Sequence, residues 1–179
     1  MRLPGKADDE VRFGVAIAVP EPFGAALQAA RESFGDPLAR LIPPHVTLLG
    51  PTVRAAAGMD EVGDHLAAVA ARHEPFELHL RGTGTFRPVS PVVFVQVAAG
   101  IAACERLEAE VRTGVLDEPR EFNYHPHVTV AHEVDDAALD VAFVGLARFD
   151  ASFEVESFSL FDHGEDGLWR PAREFRLGG

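Results

Sequence analysis

The same tetrapeptide, Pro-His-Val-Thr, occurs twice in this chain, and two further apolar residues follow each copy. The first copy covers residues 44–47 and the second covers residues 126–129. Apolar runs that are rich in β-branched residues and entered through proline are typical of strands. We therefore predict two equivalent strands, near residues 43–50 and 126–132, in two related parts of one fold.

Alternation along a strand decides which side chains of each copy lie together. Residues i and i+2 share a face, so His45 lies beside Thr47 and His127 beside Thr129. The valine between them points to the other face, which we expect to be the core. Two such strands facing each other would place two imidazoles and two hydroxyls around one cleft.

These four side chains suit the cleavage of a phosphodiester. Imidazole titrates near neutral pH, so one ring can act as a base while the other acts as an acid. A threonine hydroxyl donates a hydrogen bond to an anionic oxygen without adding charge. We predict that His45, Thr47, His127 and Thr129 are the catalytic residues and that the reaction needs no metal.

Net charge, apolar runs and cysteine content limit the binding partners and the cellular compartment that we expect for this chain. The net charge of −12 argues against an extended nucleic-acid surface, although a nucleotide or an RNA end could bind in a local pocket. There is no apolar run of membrane-spanning length, and the amino-terminal residues lack the apolar segment of a signal peptide. The single cysteine, Cys104, lies in a helical pattern and is expected to be a buried thiol in a reducing compartment, the cytoplasm.

The remaining pattern predicts an α+β fold. Hairpins dominate, so we expect mostly antiparallel sheets with flanking helices, arranged as two pseudo-symmetric lobes around a central cleft within a single domain, residues 1–179. Gly50-Pro51 should end the first motif strand, and Asp60 should cap the second helix. The predicted elements are a strand over 12–20, a helix ending near 34, the first motif strand, a helix within 55–73, a hairpin over 76–97 that turns at 88–91, a helix within 101–115, the second motif strand, a helix starting at Asp135 or Asp136, one strand over 151–163 with a possible bulge, and a last strand after a turn at 164–167.

With both motifs in place, the chain resembles the 2H phosphoesterase superfamily, which includes bacterial 2′-5′ RNA ligases and RNA 2′,3′-cyclic phosphodiesterases. Its defining feature is a pair of His-x-Thr/Ser motifs. The opening strand RFGVAIAVP and the glycine-rich hairpin GTGTFRPVSPVVFVQV are also similar to the family, and the likeness covers most of residues 11–162. The resemblance implies that His45 is the acid and His127 the base, although the symmetry of the motifs leaves the reverse assignment open.

Three further residues are candidates for binding substrate. Tyr124 and Phe86 would stack on a base, as aromatic side chains do in RNA-end pockets, with plain packing as the alternative. His132 stands where many relatives have an arginine, which puts a substrate contact of that arginine in doubt.

A metal site is the less favoured interpretation of the histidines at 125, 127 and 132. No cysteine is near them, and no zinc-binding motif occurs. We expect neither a metal nor a cofactor.

The predicted function is the opening of 2′,3′-cyclic phosphates by paired-histidine acid–base catalysis. The substrate would be an RNA 3′ end or a small cyclic nucleotide, and the protein would act as a cytoplasmic monomer without membrane contact. Two alternatives stay open, namely 2′-5′ RNA ligation by the same residues and a nucleotide-binding module that turns nothing over.

Overall fold

A computed structural model describes residues 3–120 and 122–178. Two short 3-10 turns, Ala56–Gly58 and Gly114–Leu116, accompany the regular elements. The helices and strands are β1 (Glu10–Ala18), α1 (Phe23–Ser33), β2 (His45–Ala55), α2 (Met59–Ala70), β3 (Phe76–Thr85), β4 (Val92–Ala99), α3 (Ile101–Val111), β5 (His127–His132), α4 (Asp136–Gly145), β6 (Asp150–Val155), β7 (Ser157–His163) and β8 (Trp169–Arg176).

The strands form two four-stranded sheets, one with the order β2-β1-β7-β8 and the other with the order β5-β4-β3-β6. Every pairing is antiparallel. The motif strands β2 and β5 are edge strands of different sheets, and they contact each other. The predicted α+β fold with antiparallel sheets and flanking helices is therefore confirmed.

Each sheet contains one strand–helix–strand unit that ends in a motif strand, and the two units do not divide the chain into consecutive halves. In one sheet β1-α1-β2 ends in the first motif strand, and in the other β4-α3-β5 ends in the second. The last strands of the chain, β7 and β8, complete the sheet that holds β1. The two related parts of the fold are thus interleaved along the chain, because antiparallel pairing joins distant segments.

Side chains alternate between the two faces of each motif strand, and one of these faces points into the core. Val46 and Val128 are fully buried, as predicted, and they belong to one cluster with residues of both sheets and the helices, such as Phe13, Leu66 and Leu107. Cys104 lies in the same cluster, as predicted from its helix pattern. Within the described residues, no helix is long and apolar enough to cross a membrane.

The prediction that Gly50-Pro51 ends the first motif strand is wrong. β2 continues to Ala55, and its register with β1 shifts at this point, since Phe13 faces Thr52 while Val15 faces Leu49. Two β2 residues therefore face the single residue between Phe13 and Val15, which makes a bulge. An edge strand tolerates proline because its missing N–H lies on the unpaired side or at a bulge.

The predicted strand over residues 151–163 is two strands in different sheets. β6 pairs with β3, whereas β7 pairs with β1 and β8. The chain changes sheets at Glu156, which lies between the two strands. The apolar residues change parity there, from Phe153 and Val155 to Phe158 and Leu160, and this imperfect alternation marks the crossing.

The two predicted helix caps have different outcomes. Asp135 is the N-cap of α4, and its carboxylate accepts a hydrogen bond from the Ala138 N–H at 2.8 Å. Asp60 does not cap α2, whose N-cap is Gly58, because the preceding 3-10 turn leads directly into the helix. Asp60 lies instead in the first turn of α2, where its negative charge interacts favourably with the helix dipole.

Candidate active site

The two motif strands present their histidines and threonines to one cleft of about 880 Å³. His45, Thr47, His127 and Thr129 all line it and are all partly buried. The neighbouring strands differ on the two sides. Small residues of β1, Ala16 and Ala18, pair with Thr47 and His45, whereas Gln96 and Phe94 of β4 pair with His127 and Thr129. The fold thus brings together the four residues that the sequence singled out.

Both histidine rings are held by the same kind of backbone contact. The Nδ1 atom of His45 lies 2.7 Å from the carbonyl oxygen of Pro43, and the Nδ1 atom of His127 lies 2.7 Å from that of His125. A carbonyl only accepts, so each Nδ1 carries the proton. In the neutral rings Nε2 is therefore the unprotonated, basic atom on both sides of the cleft.

The first motif has two additional contacts. Thr47 Oγ1 lies 3.1 Å from His45 Nε2, and it donates to this atom when the ring is neutral. Tyr124 donates its hydroxyl proton to the Thr47 carbonyl at 3.0 Å. Since Tyr124 precedes β5, this bond joins the segment of the second motif to the strand of the first.

Burial favours the neutral form of both imidazoles. It lowers the pKa of His127 to about 4, and the charges of His125 and His45 act in the same direction, against the hydrogen bond to the His125 carbonyl. Burial also lowers the pKa of His45, and the positive charge of Arg31 adds to this effect, while the bond to the Pro43 carbonyl opposes it. Desolvation penalises the charged ring in each case. In the free protein at neutral pH, His127 is an unprotonated base.

Phe86 supports the second histidine and also faces the cleft. Its ring centroid lies 5.0 Å from that of His127 in an edge-on arrangement, and Phe94 lies at the same distance. Phe86 and Tyr124 both line the cleft. Each therefore has a packing or bonding role as well as a surface that a ligand can reach, and base stacking by them stays a prediction.

His132 lies at the end of β5 and lines the same cleft. Burial lowers its pKa, against the raising effect of Glu133 and Asp36. The side chain is 18% exposed, so it can meet a ligand as a neutral donor or acceptor. Its predicted contact with substrate remains untested.

Arginine is a common phosphate ligand, and Arg120 lines the cleft. It binds both oxygens of Glu108, at 3.0 and 2.8 Å. Arg87 bonds to Asp140 at 2.7 Å, and Arg170 bonds to Asp166 at 2.6 Å. The last two are thus engaged in surface ion pairs outside the cleft.

The sequence pattern missed three charged residues of the cleft, Arg31, Glu108 and Arg112. Glu108 and Arg31 are only 4% and 3% exposed. Glu108 of α3 and Arg112, the residue directly after this helix, are four residues apart and form an ion pair at 3.5 Å, a spacing that the sequence does show. Nothing in the sequence places Arg31 at the cleft, because its position depends on how α1 packs.

His125 and His127, two of the three histidines considered for a metal site, lie next to each other. Within residues 3–120 and 122–178, no group of three or more His, Cys, Asp or Glu side chains is arranged to hold a metal ion. His125 and His127 instead stack on each other, with ring centroids 6.1 Å apart.

Comparison with known proteins confirms the family that the motifs suggested. The model of the 2′-5′ RNA ligase superfamily matches residues 19–167. The chain therefore belongs to this superfamily, the 2H phosphoesterases.

Individual relatives are similar over nearly the whole chain. A Bacillus thuringiensis (strain Al Hakam) protein named "Putative phosphoesterase" is 30% identical over 170 residues, which cover 94% of this chain and 98% of that protein. The crystal structure of E. coli LigT complexed with NADP+ has a TM-score of 0.69 at 19% identity, covering 95% of this chain and 99% of that one. The crystal structure of TT0787 of Thermus thermophilus has a TM-score of 0.61 at 24% identity, covering 94% and 98%. At these identities the two structures show the shared fold.

Proposed function

We propose that this protein opens 2′,3′-cyclic phosphates of RNA ends or small nucleotides to monophosphates, without a metal. The observation that carries the proposal is the duplicated His-x-Thr geometry. Two rings with the same Nδ1–H···O=C contact present unprotonated Nε2 atoms to one cleft, beside two hydroxyls, one of which donates to His45 Nε2. Paired groups of this kind are what acid–base opening of a cyclic diester requires.

In the proposed step, His127 is the base, as the resemblance implies. Its Nε2 takes a proton from water as the water oxygen attacks phosphorus. One ring P–O bond breaks, and the Nε2–H of His45 gives its proton to the departing sugar oxygen. The product is a phosphate monoester with a free neighbouring hydroxyl, and the two histidines exchange protonation states.

The low pKa of His127 supports its role as the base, whereas His45 must be protonated before it can act as the acid. A phosphodiester anion in the cleft favours the charged form of a neighbouring imidazole. Protonation of His45 turns its Nε2 from an acceptor into a donor. The Thr47 hydroxyl, which donates to this atom in the free protein, is then released to donate to a non-bridging oxygen.

The threonines are proposed to stabilise the negative charge on the non-bridging oxygens of the phosphate. Hydroxyl donors held at partly buried positions stabilise such charge more than water does. Thr47 and Thr129 lie at equivalent positions in the two motifs. Phe86, Tyr124 and His132 would contact the nucleoside part of the substrate.

The cleft favours a nucleotide-sized substrate over an extended RNA. Its volume of about 880 Å³ is within the range of small-molecule sites. Glu108 pairs with two of the cleft arginines, Arg112 and Arg120, and the third, Arg31, pairs with Asp36, so the positive charge available to a polyanion is small. The neighbour LigT has been crystallised with 3′-AMP and with ATP, which supports nucleotide binding by this fold.

The test is incubation of the protein with 2′,3′-cyclic AMP, and separately with a short RNA ending in a 2′,3′-cyclic phosphate, in the presence of EDTA. We expect conversion to a monophosphate by the wild type and by His79→Ala, a control that removes a histidine bonded to Asp150 outside the cleft. We expect no conversion by the double variant His45→Ala/His127→Ala. Equal turnover by the double variant would disprove the proposal, and binding without turnover by the wild type would favour a nucleotide-binding module.

A further inference from the structure

A buried ion pair lies between α1 and the two motif segments. Arg31 of α1 donates from Nε to Asp36 Oδ2 at 2.8 Å. The two residues are 3% and 5% exposed. Taking two charges out of water costs free energy that can exceed the gain from their attraction. Such a pair therefore matters more for the groups that it positions than for stability.

Each member of the pair also reaches one motif segment. Arg31 Nη1 donates to the Ile42 carbonyl at 3.1 Å. Ile42 directly precedes Pro43, whose carbonyl accepts the Nδ1–H of His45. On the other side, Asp36 Oδ2 accepts from the backbone N–H of His132 at 3.0 Å, and His132 ends the strand that begins at His127.

The two motif strands need such a connection because no backbone ladder in the described sheets joins them. β2 pairs with β1, and β5 pairs with β4. Side chains therefore set how the two histidines sit relative to each other. The Tyr124–Thr47 bond is one connection, and the Arg31–Asp36 pair is another.

We propose that the Arg31–Asp36 ion pair is a positioning element that fixes the two motif segments relative to each other and keeps His45 in its Nδ1–H form. The proposal deepens the proposed function, since it rests on the two rings being the acid and the base. Arg31 acts through the Ile42–Pro43 backbone on the His45 ring, and Asp36 acts through the end of β5. The influence of Arg31 on the pKa of both His45 and His132 agrees with its place between the motifs.

The direct test is NMR of the imidazole nitrogens in 15N-histidine-labelled protein, which has eight histidines. The variant is Arg31→Met/Asp36→Asn, which removes both charges together and leaves no unpaired buried charge. The amide introduced at position 36 retains an oxygen that accepts from His132 N–H, whereas the thioether introduced at position 31 cannot donate to Ile42. We expect His45 to change from one tautomer to a mixture of two, while His127 keeps its Nδ1–H form.

The control is Leu66→Ala, a truncation of a fully buried side chain in α2, a helix with no residue among those that line the cleft. This variant is also destabilised, but we expect its His45 to keep the wild-type tautomer. A single Nδ1–H tautomer of His45 in the charge-free variant would overturn the proposal. If that variant does not fold, Arg31→Lys takes its place, because the single nitrogen of an ammonium lacks the planar geometry in which Nε and Nη1 bond to two separate acceptors, and the same criterion applies.

Kinetics gives the second readout. Misplacement of a reacting group lowers the rate of the chemical step more than it weakens binding. With 2′,3′-cyclic AMP we expect kcat of the charge-free variant to fall at least about tenfold and KM to change less than about threefold. A purely structural pair would leave kcat per folded molecule unchanged. If the wild type has no turnover, the proposed function fails while the NMR comparison still decides whether the ion pair positions His45.

Discussion

When the pH falls, the variant His127→Gln is expected to lose much less free energy of unfolding than the wild type. Burial lowers the pKa of this histidine from 6.5 to about 4 in the folded chain. Between these values the unfolded chain binds a proton that the folded chain does not bind. The free energy of unfolding therefore falls as the pH falls from about 6.5 to about 4.

The magnitude follows from the two pKa values. A tenfold difference in proton affinity corresponds to about 1.4 kcal/mol, so the full effect is about 3 kcal/mol at pH 4. About 2 kcal/mol of this loss occurs between pH 7 and pH 5. Water that reaches the ring through the cleft lowers the desolvation cost of the charged ring, so both free-energy losses are somewhat smaller.

The assay is urea unfolding of the wild type and His127→Gln at pH 7 and at pH 5. We expect the wild type to lose about 2 kcal/mol more than the variant over this interval. Thr129→Val is the matched control, because it changes the same face of β5 and keeps the histidine, and it should follow the wild type. Parallel losses in the wild type and His127→Gln would refute the assignment of a low pKa to His127.

Three further predictions concern single positions. Asp135→Ala removes the hydrogen bond to the Ala138 N–H and should cost about 1 kcal/mol in chemical denaturation, whereas Asp135→Asn should cost less. Gly100→Ala should destabilise by more than about 1 kcal/mol, since Gly100 has φ 90° and a Cβ there would lie 2.7 Å from the Glu77 carbonyl oxygen; an unchanged denaturation midpoint would contradict this. Burial raises the pKa of Cys104 to about 12, so a thiol reagent at pH 8 should label it only after unfolding, and rapid labelling of the native protein would be inconsistent with the structure.

The sequence allowed the motif strands and their orientation to be predicted, because alternation is a local property. β5 begins at His127 and ends at His132, within the predicted range, and Val46 and Val128 are buried as expected. The continuation of β2 past Pro51 was missed, because a proline ends a strand in the interior of a sheet but not at an edge. Whether a strand is an edge depends on distant segments.

The hydrogen bonds that connect the two motifs also could not be predicted from the sequence. Arg31 and Asp36 appear as a helical residue and a helix-breaking residue, and neither pattern indicates burial. Their bonds to Ile42 and His132 depend on packing between α1 and the motif segments. The division of residues 151–163 between two sheets likewise required the tertiary pairing, although the change of parity at Glu156 is visible in the sequence.

The most direct test of the central claim, that two histidines act as one acid–base pair, compares kcat/KM for His45→Ala, His127→Ala and the double variant with 2′,3′-cyclic AMP. Residues that act as a unit are strongly non-additive. We predict that each single variant loses about 10²- to 10⁴-fold and that the double variant loses little more than the worse single variant. A single variant that keeps nearly full activity, or losses that multiply in the double variant, would contradict the account.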